Sequence, residues 1–325
     1  MSRPIPVHLI CGFLGSGKTT LLRRILAEQP PAEKLVVLVN EFGELGIDGS
    51  LLEGFDSEVL ELSSGCICCT LKADFISTLN KMLADFHPDR VVVEATGIAE
   101  TGDLVQAVEM LQARADVELA SVVTVVDAEN FKYRDMLGPL FYRQMETADL
   151  ILLNKIDLVE HGEVEELSEA LHEINPGARI MPVVYGAVDR AIILNPQPGQ
   201  PRERSQVTMP VLDMMSLLTQ APGHEGHEHE HDTTRDFMSF SFETDRLAQK
   251  ECLEGFLAGL PWGVFRVKGF VRFAEGTEVL NHTYRRSEFA PSREPSGTRL
   301  AFVAWKMDQQ EILAQLAGCF YHKEA

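Results

Sequence analysis

Gly12-Phe13-Leu14-Gly15-Ser16-Gly17-Lys18-Thr19 is the stretch from which the fold is read. It has the spacing G-x-x-x-x-G-K-T and stands between the apolar run Val7 to Cys11 and the helix-patterned run Thr20 to Glu28. Strand, glycine turn and helix in that order suit a phosphate cradle. The glycines let backbone N–H groups turn inward around phosphate oxygens, and the helix presents its positive end. The lysine reaches the outer phosphates and the threonine hydroxyl meets Mg²⁺. Gly12, Gly15, Ser16, Gly17, Lys18, Thr19 and Thr20 are therefore candidate nucleotide ligands, with Thr19 the candidate Mg²⁺ ligand and Lys18 and Thr19 also catalytic candidates. A plain turn joining strand to helix is the blander alternative.

Outward from this loop, short apolar runs alternate with longer amphipathic ones as far as about Gly186. The runs are Val7 to Cys11, Leu35 to Asn40, Val91 to Glu94, Ser121 to Val126, Leu150 to Asn154 and Arg179 to Val184. Such spacing predicts buried parallel strands with helical crossovers. From Asn195 to Asp236 the pattern gives way to Pro, Gly and polar residues, a linker signal. Beyond it, Phe237 to Phe242, Gly263 to Phe273 and Leu300 to Lys306 read as strands, Arg246 to Leu257 and Gln309 to Ala317 as helices. The expected fold is α/β, a P-loop NTPase with a mostly parallel sheet flanked by helices, plus a smaller α+β domain. The boundaries are 1–194, a linker over 195–235, and 236–325.

Two further motifs follow in order. Val91-Val92-Val93-Glu94-Ala95-Thr96-Gly97 is a strand ending in an acid and then a glycine, which brings a carboxylate near Mg²⁺ and a glycine near the γ-phosphate. Glu94, a catalytic candidate, is Glu where Asp is usual, so it is expected to reach the ion through water. Asn154-Lys155-Ile156-Asp157 follows the apolar run Leu150 to Leu153. Asp157 would accept hydrogen bonds from the ring N–H and the exocyclic amine of guanine, a donor pair adenine lacks. Gly97, Asn154, Lys155 and Asp157 complete the nucleotide candidates, and GTP is the expected nucleotide. No Ser-Ala-Lys counterpart is visible near Val183 to Asp189.

The 325-residue chain has six cysteines and a formal net charge of −20. The charge argues against nucleic acid, whose phosphates need a basic field. No apolar run approaches the roughly 20 residues of a membrane span. The few residues before the first strand leave no room for a secretion signal, and crowded thiols fit a reducing compartment, so a cytoplasmic location is expected. Cys11, Cys252 and Cys319 are isolated and expected in cores, as are Trp262 and Trp305.

Cys66, Cys68 and Cys69 lie in Ser64-Gly65-Cys66-Ile67-Cys68-Cys69, between the strand-like Val59 to Leu62 and the helical run Leu71 to Phe86. Strand-to-helix turns of a parallel sheet share one edge, so this cluster is expected beside the phosphate loop. Three thiols in four residues suit a thiophilic ion; packing or a redox pair are the competing readings. A second tract, His224, His227, His229 and His231 alternating with acids, could hold Zn²⁺, Ni²⁺ or Co²⁺ as a secondary site on flexible chain, or be a merely solvated segment.

With Asn40-Glu41-Phe42-Gly43-Glu44 and Arg266-Val267-Lys268-Gly269-Phe270 added, these segments together resemble the CobW-type GTPases that act as metallochaperones. The resemblance implies an N-terminal GTPase domain, a CobW-like C-terminal domain and GTP-dependent delivery of a metal to a client apo-metalloprotein. It places Cys66, Cys68 and Cys69 as the metal motif and Glu41, in the segment similar to the family's first switch, near the metal or Mg²⁺. Thiolate and imidazole supply favour Zn²⁺, then Co²⁺. No arginine finger or water-positioning glutamine can be named, so turnover is expected to be slow and to need a homodimer or the client. Two other readings remain open. A metal buffer or sensor without hydrolysis would show no GTP turnover, and a P-loop small-molecule kinase would prefer ATP.

Overall fold

The computed structural model describes residues 4–42, 58–64, 70–99, 101–113, 116–195, 237–292 and 297–321. The cysteine cluster at 66–69 and the histidine tract at 224–231 lie outside the described residues.

In the N-terminal half the strands are β1 (Ile5–Cys11), β2 (Leu35–Phe42), β3 (Glu58–Ser64), β4 (Arg90–Glu94), β5 (Val117–Asp127), β6 (Leu150–Asn154) and β7 (Arg179–Pro182). They form one seven-stranded sheet in the order β3-β2-β4-β1-β5-β6-β7. Every pairing in it is parallel, where the sequence predicted mostly parallel. The reason is visible in β1, β4 and β6, whose apolar residues are buried on both faces, as helical crossovers on both sides require. The helices are α1 (Lys18–Ala27), α2 (Thr70–Phe86), α3 (Thr101–Gln112), α4 (Arg134–Glu146), α5 (His161–Ile174) and the short α6 (Arg190–Leu194). One apolar layer joins β1, β2 and β4 to α2 and α3, through Leu9, Val93, Phe75, Leu79 and Val108. The opposite layer joins Ile10, Val37 and Val125 to Leu21, Leu22 and Ile25 of α1.

The C-terminal sheet contains β8 (Phe237–Thr244), β9 (Val264–Arg272), β10 (Thr277–Thr283), β11 (Arg286–Pro291) and β12 (Thr298–Trp305). It is antiparallel, in the order β11-β10-β9-β12-β8. Helices α7 (Lys250–Gly259) and α8 (Gln309–Ala317) supply Leu253, Leu257, Ile312 and Leu316 to a core with Val267, Val271, Leu280, Leu300 and Phe302. Strands β10 and β11 escaped the sequence reading because β11 is largely exposed and shows no apolar alternation. The predicted helix from Arg246 begins only at Lys250, since Ala248 is engaged in a bridge to Phe320.

The other face of this sheet packs on the N-terminal half. Phe237, Phe265 and Val303 share one apolar cluster with Phe13, Leu14, Ile98 and Phe131. A register shift where β9 pairs with β12 explains how Phe265 gets there: Val303 faces Arg266 and Ala304 faces Val264, leaving Phe265 as a bulge. Two expectations are corrected. Cys252 is exposed, because it falls on the outer side of α7. Trp262, 36% exposed, meets Tyr133 at a tilt across the two halves rather than entering a core, with ring centroids 4.5 Å apart.

Candidate nucleotide site

The phosphate loop leaves β1 at the C-terminal edge of the sheet. Gly12, Gly15 and Gly17 have φ of 132°, 74° and 110°, so the chain bends where a side chain would be strained. At Gly17 space is also closed: a Cβ there would run into Asn154 Nδ2. Lys18, 7% exposed, lies back along the loop with Nζ donating to Phe13 O at 3.2 Å. Thr19 Oγ1 donates to Glu94 Oε1 at 2.8 Å, joining the start of α1 to the end of β4. Gly97, two residues past Ala95, presses its backbone against Leu14, leaving no room for a side chain.

Lys18 and Glu94 are ionisable and buried. Burial lowers the Lys18 pKa to about 8, with Glu94 pulling it back up. Burial raises that of Glu94, opposed by Lys18 and by the Thr19 hydrogen bond. A buried lysine and glutamate at the ends of neighbouring elements are stabilised in their charged forms by ligands of opposite charge. Among the described residues, Ser16 Oγ, Glu94 Oε2 and Thr96 Oγ1 are buried without a hydrogen-bond partner. Thr19 and Glu94, adjacent and with an oxygen to spare, fit Mg²⁺; Ser16 and Lys18 fit phosphate.

The second motif lies across the same edge. Lys155 takes a left-handed φ of 61° and Nζ pairs with Asp127 Oδ2 at 2.8 Å. Asp127, at the end of β5, is also held by Asn130 Nδ2 at 2.8 Å. Asn154 is a brace: Nδ2 donates to Ser16 O at 2.8 Å and Oδ1 accepts from Gly186 N at 3.0 Å. Asp157, in a short turn, is exposed to a cavity of about 580 Å³ shared with Gly15, Gly17, Lys155 and Tyr185. Tyr185 and Gly186, in the segment that has no Ser-Ala-Lys counterpart, both have positive φ. Thr20 faces this cavity and a second one of about 450 Å³, which contains Lys18, Thr19, Glu94 and Gly97. The structure thus places Glu94 on one cavity and Asp157 on the other, with Gly15, Gly17 and Thr20 of the loop lining both.

Glu41 lies in β2 in register with Ser63 of β3, one residue from the strand end that leads into the cysteine segment. Strand β3 is parallel to β1 and three strand spacings from it, roughly 14 Å. The strand entering the cysteine segment therefore ends at the edge carrying the phosphate loop. Sequence reading missed Asp127, whose only signal was its place at a strand end. It also missed the share of the C-terminal half, whose Trp262, Asn281, Thr283 and Tyr284 line the larger cavity.

A family model described as the CobW/HypB/UreG nucleotide-binding domain matches residues 6–182, and one for the cobalamin synthesis protein CobW C-terminal domain matches 237–320. The chain belongs to the CobW/HypB/UreG family. Among curated proteins, this family member is similar to the zinc chaperone YjiA of Escherichia coli, 30% identical over 97% of this chain and 98% of that one. It is 30% identical to the zinc chaperone CobW of a Sinorhizobium species, over 82% of this chain and 81% of that protein. The zinc-regulated GTPase metalloprotein activator 1 of Schizosaccharomyces pombe is 37% identical over 57% of this chain and 47% of its own length. No helix among the described residues of this family member is long and apolar enough to cross a membrane.

Proposed function

We propose that the chain is a GTP-hydrolysing zinc metallochaperone, which binds its ion at Cys66, Cys68 and Cys69 and hands it to a client apo-metalloprotein. The observation that carries this reading is the placing of Lys18, Thr19 and Glu94 on one cavity and Asp157 on its neighbour, with Gly15, Gly17 and Thr20 lining both. Asp157 selects guanine, the N–H groups of Gly15 to Thr19 hold the β-phosphate, and Lys18 swings from Phe13 O onto the β- and γ-phosphates. Thr19 and Glu94 would hold Mg²⁺, which neutralises phosphate charge when bound. Water attacks the γ-phosphorus, the bond to the β–γ bridging oxygen breaks, and GDP and inorganic phosphate leave. The turnover is slow, and Glu94 acts electrostatically rather than as the water's base.

The cargo ion supports the same reading through the place of β3 and through the names of the relatives, two of which are called zinc chaperones. Three cysteines supply thiolates to Zn²⁺ or Co²⁺, and Glu41, in strand register with Ser63, is a candidate carboxylate. If the γ-phosphate tightens the metal site, metal must tighten GTP binding by the same factor. The deciding experiment compares Zn²⁺ affinity with GTPγS and with GDP, in the intact protein and in a C66A/C68A/C69A variant. Tighter binding with GTPγS, lost in the variant, is expected; equal affinities would refute the coupled mechanism.

A further inference from the structure

We propose that Arg266, supplied by the C-terminal sheet of the same chain, contacts the terminal phosphate of bound GTP and stabilises the charge that develops there during hydrolysis, with Lys268 beside it.

The argument starts from strand register. Arg266 pairs with Val303, and Val303 packs in the cluster shared with Phe13, so Arg266 lies on the face turned to the phosphate loop. Lys268 pairs with Ala301, two residues from Val303, and so lies on that face too. Across β10, Arg266 is opposite Thr283 and Lys268 opposite Asn281, both of which line the smaller cavity. The bulge at Phe265 is what allows Phe265 and Arg266 to face the N-terminal half together, while Val264 and Val267 enter the other core. Phe265 meets the ring of Phe13, inside the phosphate loop, edge to face at 5.2 Å, which fixes the sheet against the loop. A Cβ on Gly15 would collide with Thr283, so the two halves touch at the loop backbone itself.

The chemistry of the cavity points to an anion of high charge. Among the described residues lining it, Lys18, Arg23, Arg266 and Lys268 outnumber Glu94 and Glu288. This is a local positive field in a chain of net charge −20, and Lys268 is only 5% exposed. Arg266 is close enough to Lys18 and Glu94 to shift both. A planar guanidinium offers paired N–H donors to phosphate oxygens, and in hydrolysis it needs to move no proton. It donates hydrogen bonds as the bond to the bridging oxygen breaks and charge spreads over the departing group.

This inference rests on the cleft being a GTP site, and the test separates the two. Single-turnover GTP hydrolysis and the affinities for GTPγS and GDP are measured for the full chain, R266A and R266K. Loss of turnover by about 1,000-fold in R266A and at least about tenfold in R266K is expected, with GDP affinity held within about threefold. GDP with aluminium fluoride should be trapped by the full chain and not by R266A. Turnover and GTPγS-to-GDP preference in folded R266K equal to those of the unaltered chain would overturn the role of Arg266 while leaving the GTP site standing. Failure of the unaltered chain to bind GTP would overturn both.

Discussion

On the proposed function Asp157 would select the base by charge and geometry, so an amide in its place should reverse the selection. In D157N the side-chain oxygen still accepts but the second acceptor becomes a donor, which matches xanthine rather than guanine. GTP affinity should fall by about 100-fold, the value of one charged hydrogen bond near 2–3 kcal/mol, and xanthosine triphosphate should bind instead. Titration of the variant with both fluorescent nucleotides checks this. His8 makes a different prediction. It is fully buried in β1, Nδ1 meets Ser121 Oγ at 2.7 Å, and Nε2 meets Arg90, while Glu33 pairs with both Arg90 and Arg190. Burial, then the charges of Arg90 and Arg190, push its pKa down to about 3. The folded protein keeps His8 neutral while the unfolded chain protonates near 6.5, so this contribution is complete above pH 6.5 and is lost as pH falls towards 3. Denaturant titrations should show up to about 1.4 kcal/mol lost per pH unit below 6, with a smaller slope in H8N.

At the scale of elements, the phosphate loop is held from two sides. Asn154 ties it to β6, and Phe13 anchors it in the aromatic group of Phe237, Phe265 and Tyr284, at 6.4, 5.2 and 6.3 Å. Phe13→Ala should cost about 3–5 kcal/mol and also weaken GTP binding, because the loop loses its contact with β9. Thermal unfolding and GTPγS titration read the two effects separately; stability lost with unchanged affinity would show that Phe13 serves packing alone. In β9, Gly269 has φ of 153° and a Cβ there would meet Arg299 O of β12. Gly269→Ala should therefore lower stability by at least about 1–3 kcal/mol and reduce turnover by displacing the neighbouring strand residues. The phosphate loop and the order of motifs behind it were legible in the sequence because a helix start and a strand end dictate local residue types. Strand β11, exposed except at Phe289, left no such trace.

At the scale of the molecule, the two sheets share a single apolar cluster containing Phe13, Phe131, Phe237, Phe265 and Val303. They should unfold together. The chain has two tryptophans, Trp262 and Trp305, both in the C-terminal half, so fluorescence reports on that half while far-UV circular dichroism reports on all of it. Coincident transitions are expected, and two separate ones would show that the halves melt independently. A GTPγS concentration of about 100 Kd should raise stability by about 2.7 kcal/mol by both probes. Tryptophan emission should also change on nucleotide binding, since Trp262 lines the larger cavity.

The sequence by itself determined the parallel sheet, the phosphate loop on its edge, the candidate base-reading aspartate and the three thiols ahead of a helix. Each of these is a local matter, written in hydrophobic period, glycine spacing and residue chemistry over fewer than about twenty positions. Only the tertiary structure decided that Asn154 braces the loop, that Asp127 holds Lys155, and that a bulge in β9 turns Phe265 and Arg266 to the face that packs on the phosphate loop. The physical reason is sequence separation. Arg266 stands about 250 residues beyond Lys18, and no local pattern records which face of a distant strand will close over a loop.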